Sequence, residues 1–134
     1  MAAAIATAAL AHLLLAGDVT VTYVARTVTT NLPAGYRLAA LWQLPSGSAL
    51  PTAMLVALLG GVSAARRESP FGAAAVGAIV MALLAASLAA GPFATLPWVP
   101  GDGLGLAPVL QHPSSVAARV ALSVAIAVSA AAVA

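Results

Sequence analysis

Residues 66–90 read RRESPFGAAAVGAIVMALLAASLAA, a short charged turn followed by an apolar run from Phe71 to Ala90. At about 1.5 Å per helical residue, this run matches the ~30 Å hydrocarbon thickness of a bilayer. No charged residue falls inside it. Because backbone polar groups in lipid must be paired within their own segment, the run predicts a transmembrane helix.

Three further apolar runs lie at residues 2–22, 48–65 and 114–134. The first is apolar only as far as Gly17, so it reaches membrane length only if its helix continues past Asp18. A cleaved signal peptide is the alternative for this segment, because Ala9-Leu10-Ala11 has the small-x-small form of a cleavage site. The pattern predicts a single all-α integral membrane domain over residues 1–134, with about four transmembrane helices and outer loops at 18–47 and 91–113.

The composition excludes several other classes of protein. Hydrophobic residues make up 63% of the 134 residues, against roughly 45–50% in soluble globular proteins. The absence of cysteine excludes disulfides, thiolate metal sites and thiol nucleophiles. A formal charge of +2, carried by scattered arginines, cannot form the clustered phosphate contacts of a nucleic-acid surface.

The adjacent Arg66 and Arg67 suggest how the chain is oriented in the membrane. Cytoplasmic loops carry an excess of basic residues, so this turn predicts a cytoplasmic position. Both termini are then cytoplasmic, in a membrane of the bacterial inner type, and the two longer loops face outward. Arg26, Arg37 and Arg119 fall on the outer side and oppose this assignment.

The outer loops differ in character. The start of the first alternates Val and Thr and favours an extended strand, whereas Pro33 to Trp42 predicts a short helix lying in the membrane interface, with Arg37 directed at headgroups. The second loop is rich in Pro and Gly, which predicts a rigid surface loop. Aromatic residues at the ends of the runs are expected to anchor at headgroup level. They are Tyr23, Tyr36, Trp42, Phe71, Phe93 and Trp98.

Several short motifs follow one another through these loops. They are Val21-x-Tyr23-Val24-Ala25, Leu32-Pro33-x-x-Tyr36-Arg37-x-x-Ala40-Leu41-Trp42, Gly47-Ser48, Pro92-Phe93 and Gly103-Leu-Gly-Leu-Ala-Pro-Val-Leu-Gln-His-Pro113. In order and spacing they resemble the amino-terminal part of the cytochrome c-type biogenesis protein family CcmF, a membrane component of haem lyase. The resemblance implies a haem-handling membrane scaffold.

The chain departs from that family at the positions that carry its chemistry. Where the family has His and Glu after the tryptophan, this chain has Pro45 and Ser46. The family histidine associated with haem ligation corresponds to Ala118, and the family's later tryptophan-rich signature has no counterpart among these residues. Alanine cannot serve as an axial iron ligand. The resemblance therefore implies an inherited scaffold without the inherited haem site.

The function expected first is that of a non-catalytic membrane subunit, a structural or assembly component of a membrane complex engaged in electron transfer. Its partners would be other membrane-protein subunits, the lipid bilayer and a cytochrome or haem protein. No cofactor is assigned to this chain itself, and haem is expected only in the partner complex. One alternative is a functional fragment of a split haem lyase, and another is an unrelated small structural membrane subunit.

The candidate site residues are few. His12 and His112 are weak candidates for haem ligation, against the simpler roles of a helix-packing histidine for His12 and a solvent-facing loop histidine for His112. Asp102 and Arg119 are expected to pair on the outer face. No Ser–His–acid set, phosphate loop or metal-ligand spacing is present, so no enzymatic activity is expected. The candidates for partner contact are Tyr36, Arg37, Trp42, Trp98, Asp102 and Arg119.

Overall fold

A computed structural model describes residues 1–29, 31–98 and 101–133. Its elements are six α-helices and two 3-10 turns, so the all-α prediction is confirmed. The helices are α1 (Ala2–Ala16), α2 (Thr22–Thr27), α3 (Ala34–Ala39), α4 (Pro45–Arg66), α5 (Pro70–Ala89) and α6 (Pro113–Val133), and the 3-10 turns cover Ala40–Trp42 and Pro108–Gln111.

Three helices, α4, α5 and α6, are long and apolar enough to cross a membrane. Each begins at a proline, which suits the first helical position because its missing N–H has no partner there in any case. The Ser69 hydroxyl caps α5 by accepting a hydrogen bond from the Gly72 amide at 2.9 Å. These helices correspond to the predicted segments 48–65, 71–90 and 114–134, of which Ala134 lies outside the described residues.

The first helix is shorter than predicted. It ends at Ala16 because Gly17 adopts a left-handed conformation, φ 69°, and its amide bonds back to the carbonyl of Leu13 at 3.0 Å. A glycine in this conformation is the commonest way to end a helix. Fifteen residues reach only about 22 Å, short of the ~30 Å hydrocarbon core. The prediction that one helix covers residues 2–22 is therefore wrong.

The central helix of the bundle is α4, against which α1, α5 and α6 all pack. Gly60 of α4 lets α5 approach closely, because a side chain at this position would meet Val76. At the other end of the same interface, the buried Ser87 hydroxyl of α5 donates to the Ser46 carbonyl at 2.6 Å. Close backbone approach and interhelical hydrogen bonds are the usual means of packing helices in membranes.

The described residues of segments 17–44 and 90–112, here called the cap, lie at one end of the bundle, where α1 and α5 end and α4 and α6 begin. The cap segments meet at an antiparallel bridge between Val21 and Thr95, with the Leu96 amide donating to the Thr20 carbonyl at 2.8 Å. The extended structure predicted for the first loop is confined to this point, because α2 follows at once. The predicted short helix in residues 33–42 is present as α3 and the 3-10 turn.

Tyr23 lies inside the cap and is only 2% exposed. Its hydroxyl donates to the Ala40 carbonyl at 2.8 Å, and Gly47 of α4 lies directly against the ring. Burial raises the pKa of the Tyr23 phenol. The expected role of Tyr23 as a headgroup anchor is therefore wrong. Around it lies a buried core made of Leu10, Leu14, Val21, Val24, Val28, Ala40, Leu41, Leu50, Leu106 and Leu110.

The cap begins with a local turn at Asp18. Its carboxylate accepts hydrogen bonds from the Thr20 hydroxyl at 2.6 Å and from the Thr20 amide at 3.1 Å. These bonds hold the pKa of Asp18 below its ordinary value, because they stabilise the charged form. The turn directs the chain from the end of α1 into the bridge with the second cap segment.

Candidate functional site

The cap contains an open cleft of about 330 Å³ between α2 and the second cap segment. It is lined by Thr22, Ala25, Arg26, Leu96, Trp98, Asp102 and Leu104. Its walls thus combine an indole ring, two leucines, one guanidinium and one carboxylate. An apolar pocket with a few charged groups is the usual form of a recognition site.

A close backbone contact forms one wall of this cleft. The Leu104 amide donates to the Ala25 carbonyl at 2.8 Å, which satisfies a carbonyl in the last turn of α2. Gly103 packs so tightly on α2 that a Cβ at this position would collide with the Val28 carbonyl. The contact therefore requires glycine at 103, and it places Asp102 and Leu104 beside the last turn of α2, which carries Arg26.

Gln43 also binds the same segment. Its amide nitrogen donates to the Gly105 carbonyl at 3.4 Å, and its amide oxygen accepts from the Ala107 amide at 3.3 Å. Gly105 has φ 85°, a conformation that favours glycine. Sequence reasoning missed Gln43, and no local signal could have found it, because these partners lie 62 and 64 residues away.

Two large apolar side chains of the cleft are directed into solvent. Trp98 is 66% exposed and Leu104 is 85% exposed, although both lie outside the three long helices. Arg26 and Asp102 beside them are exposed as well, and the Asp102 carboxylate accepts from the Gly103 amide at 2.8 Å. Exposed apolar patches bordered by polar groups mark interaction surfaces. The geometry suits binding of an amphipathic segment.

The described lining residues include few reactive groups. Thr22 provides the one hydroxyl and Asp102 the one carboxylate. Nucleophilic or acid–base catalysis needs such a pair within hydrogen-bond reach. The exposed indole, the exposed leucine and the two charged groups suit recognition by shape and charge.

The structure brings two of the predicted contact residues, Trp98 and Asp102, together in this cleft. Sequence reasoning missed Arg26 and Leu104 as members of the site. The signal for Arg26 was its basic side chain in the last turn of a short helix, where it favours the helix dipole. Because the sequence did not predict α2, this position could not identify Arg26.

Two other predicted residues, Trp42 and Arg119, meet in a separate place. The Arg119 guanidinium donates to the Trp42 carbonyl at 2.7 Å, where the start of α6 faces the 3-10 turn before α4. The expected pairing of Arg119 with Asp102 is not found among the described residues. Asp102 instead belongs to the cap cleft.

The remaining pair of contact candidates lies on α3. Tyr36 is 38% exposed. Arg37 is half-buried, and its guanidinium donates to the Leu32 and Leu15 carbonyls, each at 2.8 Å. Arg37 thus caps the end of α1, because the unpaired carbonyls of a helix end attract a cation.

The two histidines lie apart from the cap cleft. His12 is exposed on α1, so its expected role in helix packing is wrong. His112 is exposed as expected, with its Nδ1 2.7 Å from the Ser114 hydroxyl. Within the described part of the chain, no three His, Asp or Glu residues come close enough to hold a metal ion.

No family model, curated protein or solved structure matches this chain. The proposed function therefore depends on the chain's own residues, on their geometry and on the resemblance of its loop motifs.

Proposed function

We propose that this chain is a non-catalytic multi-pass membrane subunit that assembles with other membrane proteins and binds an extramembrane segment of one of them in its cap cleft. Helices α4, α5 and α6 cross the bilayer, and α1 enters it beside α4. The turn at Arg66 and Arg67 lies on the cytoplasmic side, so the cap faces outward and α6 ends on the inner side, in a bacterial-type inner membrane. Met1 lines a pocket with Leu58 of α4, about two helical turns short of Arg66.

The observation that carries this proposal is the exposure of Trp98 and Leu104 in the cap cleft. Large aromatic side chains at the centre of a binding surface supply much of the free energy of association. Arg26 and Asp102 flank them with charges of opposite sign. The matching partner segment presents an apolar residue between an acidic and a basic one, so that each charge of the cleft meets its opposite.

The surfaces of the long helices support assembly within the membrane. Within the most apolar 18 residues of each helix, only 17% are buried in α5 and in α6, against 39% in α4. Much of the uncovered surface of α5 consists of alanine and glycine. These residues favour membrane insertion weakly but allow close helix–helix approach, so they suit contact with partner helices.

We infer that the partner complex takes part in electron transfer because the loop motifs resemble those of the CcmF family. Under this proposal haem is bound by the partner. Ala118, at the position of the family's haem-associated histidine, lies exposed on α6. An alanine there offers no lone pair to iron, and a partner can cover that face of α6 without losing a ligand.

Affinity purification in mild detergent through a carboxyl-terminal tag tests this function. We expect the chain to recover stoichiometric membrane partners, and a visible spectrum shows whether they contain haem. Leu104→Glu places a charge at the centre of the cleft and should lower partner recovery about tenfold or more. The matched control is Leu38→Glu on α3, at a leucine that is 39% exposed, and it should leave recovery unchanged.

Recovery of the chain alone would contradict the proposal. So would equal partner recovery by the two glutamate variants, because the cleft would then have no part in assembly. Haem absorption in a preparation of this chain without a partner would instead favour the split haem lyase.

A further inference from the structure

A second cleft, of about 150 Å³, lies between α4 and α6 near the cap. Its polar end carries the Trp42 indole, the Thr52 and Ser123 hydroxyls and the Arg119 guanidinium. The Thr52 hydroxyl lies 3.0 Å from that of Ser123, and the Trp42 indole nitrogen lies 3.4 Å from the same oxygen. With the bond from Arg119 to the Trp42 carbonyl, this network fixes both the guanidinium and the indole in place.

The positive charge of Arg119 has no carboxylate partner within the described residues. Its guanidinium donates to the neutral carbonyl of Trp42 and remains charged at any ordinary pH. The chain contains only three acidic residues, and Asp18, Glu68 and Asp102 all lie outside the long helices. Charged side chains within membrane helices pair with one another or with backbone carbonyls. The bond to Trp42 uses one of the five N–H donors of the guanidinium, so others remain for an anion supplied by another molecule.

The depth of Arg119 places that anion at headgroup level. Arg119 lies six residues after Pro113, roughly 9 Å along α6 from its cap end. A side chain of this length extends toward the interface, where phosphates lie. Trp42 beside it has the residue type that favours the same level, because an indole combines an apolar ring with an N–H donor.

Below the guanidinium the cleft becomes apolar. Leu122 and Ile126 lie three and seven residues after Arg119, hence on the same face of α6 and farther from the cap. They are 62% and 42% exposed. A cation above an apolar wall matches a phosphate above an acyl chain. A phospholipid supplies both the anion and the apolar chain in one molecule.

We propose that this cleft binds one anionic phospholipid of the leaflet on the cap side. Its phosphate pairs with the free N–H groups of Arg119, and an acyl chain lies along Leu122 and Ile126. The site is separate from the cap cleft, so it stands whether or not a protein partner binds there.

Quenching of Trp42 fluorescence by lipids with brominated acyl chains tests this site. The chain has two tryptophans, so Trp98→Phe leaves Trp42 as the only reporter. The protein is reconstituted in phosphatidylcholine vesicles that contain an equal small fraction of brominated phosphatidylglycerol or of brominated phosphatidylcholine. One arginine near the membrane surface should enrich the anionic lipid about fivefold, so the brominated phosphatidylglycerol should quench Trp42 more strongly.

Three arginine variants in the same background locate the effect. Arg119→Gln should abolish the preference for phosphatidylglycerol, whereas Arg66→Gln, which removes the same charge at the opposite end of α4, should leave it intact. Arg119→Lys keeps a cation and should retain the preference even if the glutamine variant loosens the helix contact.

Equal quenching by the two lipids would overturn the proposal. A preference that survives Arg119→Gln would overturn it as well. The proposal would also be overturned if Arg119→Lys lost the preference for phosphatidylglycerol as completely as Arg119→Gln. In that case the positive charge would not be what recruits the lipid.

Discussion

Gly60→Ala is expected to loosen the interface between α4 and α5. A Cβ on Gly60 would lie 2.7 Å from one methyl group of Val76 and 3.1 Å from the other. Contacts between carbon atoms are optimal at about 3.5–4.0 Å. Val76 cannot turn away at little cost, because a valine in a helix strongly prefers one rotamer. The helices must therefore separate slightly.

The neighbouring Gly61 provides a matched control, because nothing lies within 4 Å of the Cβ that alanine would add there. Replacing glycine by alanine inside a helix gains about 1 kcal/mol at either position. Overpacking costs about 1–3 kcal/mol and applies only at Gly60. The free energy of unfolding should therefore be about 1–3 kcal/mol lower for Gly60→Ala than for Gly61→Ala.

Unfolding in mixed micelles of a mild detergent and increasing dodecyl sulfate, followed by tryptophan fluorescence, measures this difference. Comparing the two variants cancels the intrinsic helix preference, which is less well known in detergent than in water. If the two alanine variants unfold within about 0.5 kcal/mol of each other, the close approach of α5 at Gly60 is refuted, since that is the size of an ordinary surface substitution.

Three further predictions concern the cap. Tyr23→Phe removes the hydroxyl that donates to the Ala40 and Leu41 carbonyls. Ala40 keeps the Gln43 amide as a donor, whereas Leu41 loses the hydroxyl bond. Hydrogen exchange of cap amides should therefore be about 5–150-fold faster, corresponding to about 1–3 kcal/mol, whereas Tyr36→Phe should have little effect. Because the pKa of Tyr23 is raised, the neutral phenol stabilises the fold fully below the ordinary value of about 10, and this contribution should fall as the pH rises above it. An equal alkaline decline in Tyr23→Phe unfolding curves would contradict this. Gly103→Ala should displace its segment from Val28 and speed proteolysis of the cap, whereas Gly101→Ala, in open space, should not.

The long helices could be predicted from the sequence because a bilayer-length apolar run is a local signal. The first residues of these helices also have a local signal, since Pro45, Pro70 and Pro113 occupy first helical positions. The end of α1 also had a local signal in Gly17, but the apolar residues that follow in the cap concealed it. Those residues are apolar because they form the core around Tyr23, which hydropathy alone cannot distinguish from a membrane segment.

The candidate sites were less predictable because they are assembled from distant segments. Trp98 and Asp102 were singled out by residue type and position in a loop, and they do lie together. Arg26 joins them only because the tight contact at Gly103 brings the second cap segment onto α2. Arg37 was assigned to headgroups since its partner, the end of α1, lies 22 residues away in sequence.

Photocrosslinking in intact membranes tests most directly whether the cap cleft binds a partner protein. A benzophenone amino acid replaces Leu104, which is 85% exposed in the cleft, or Leu38 on α3 as the control. We predict that irradiation links the chain to a discrete membrane protein from position 104 and not from position 38. Lipid adducts alone, or the same protein adduct from both positions, would contradict the assignment of the cap cleft as the docking site.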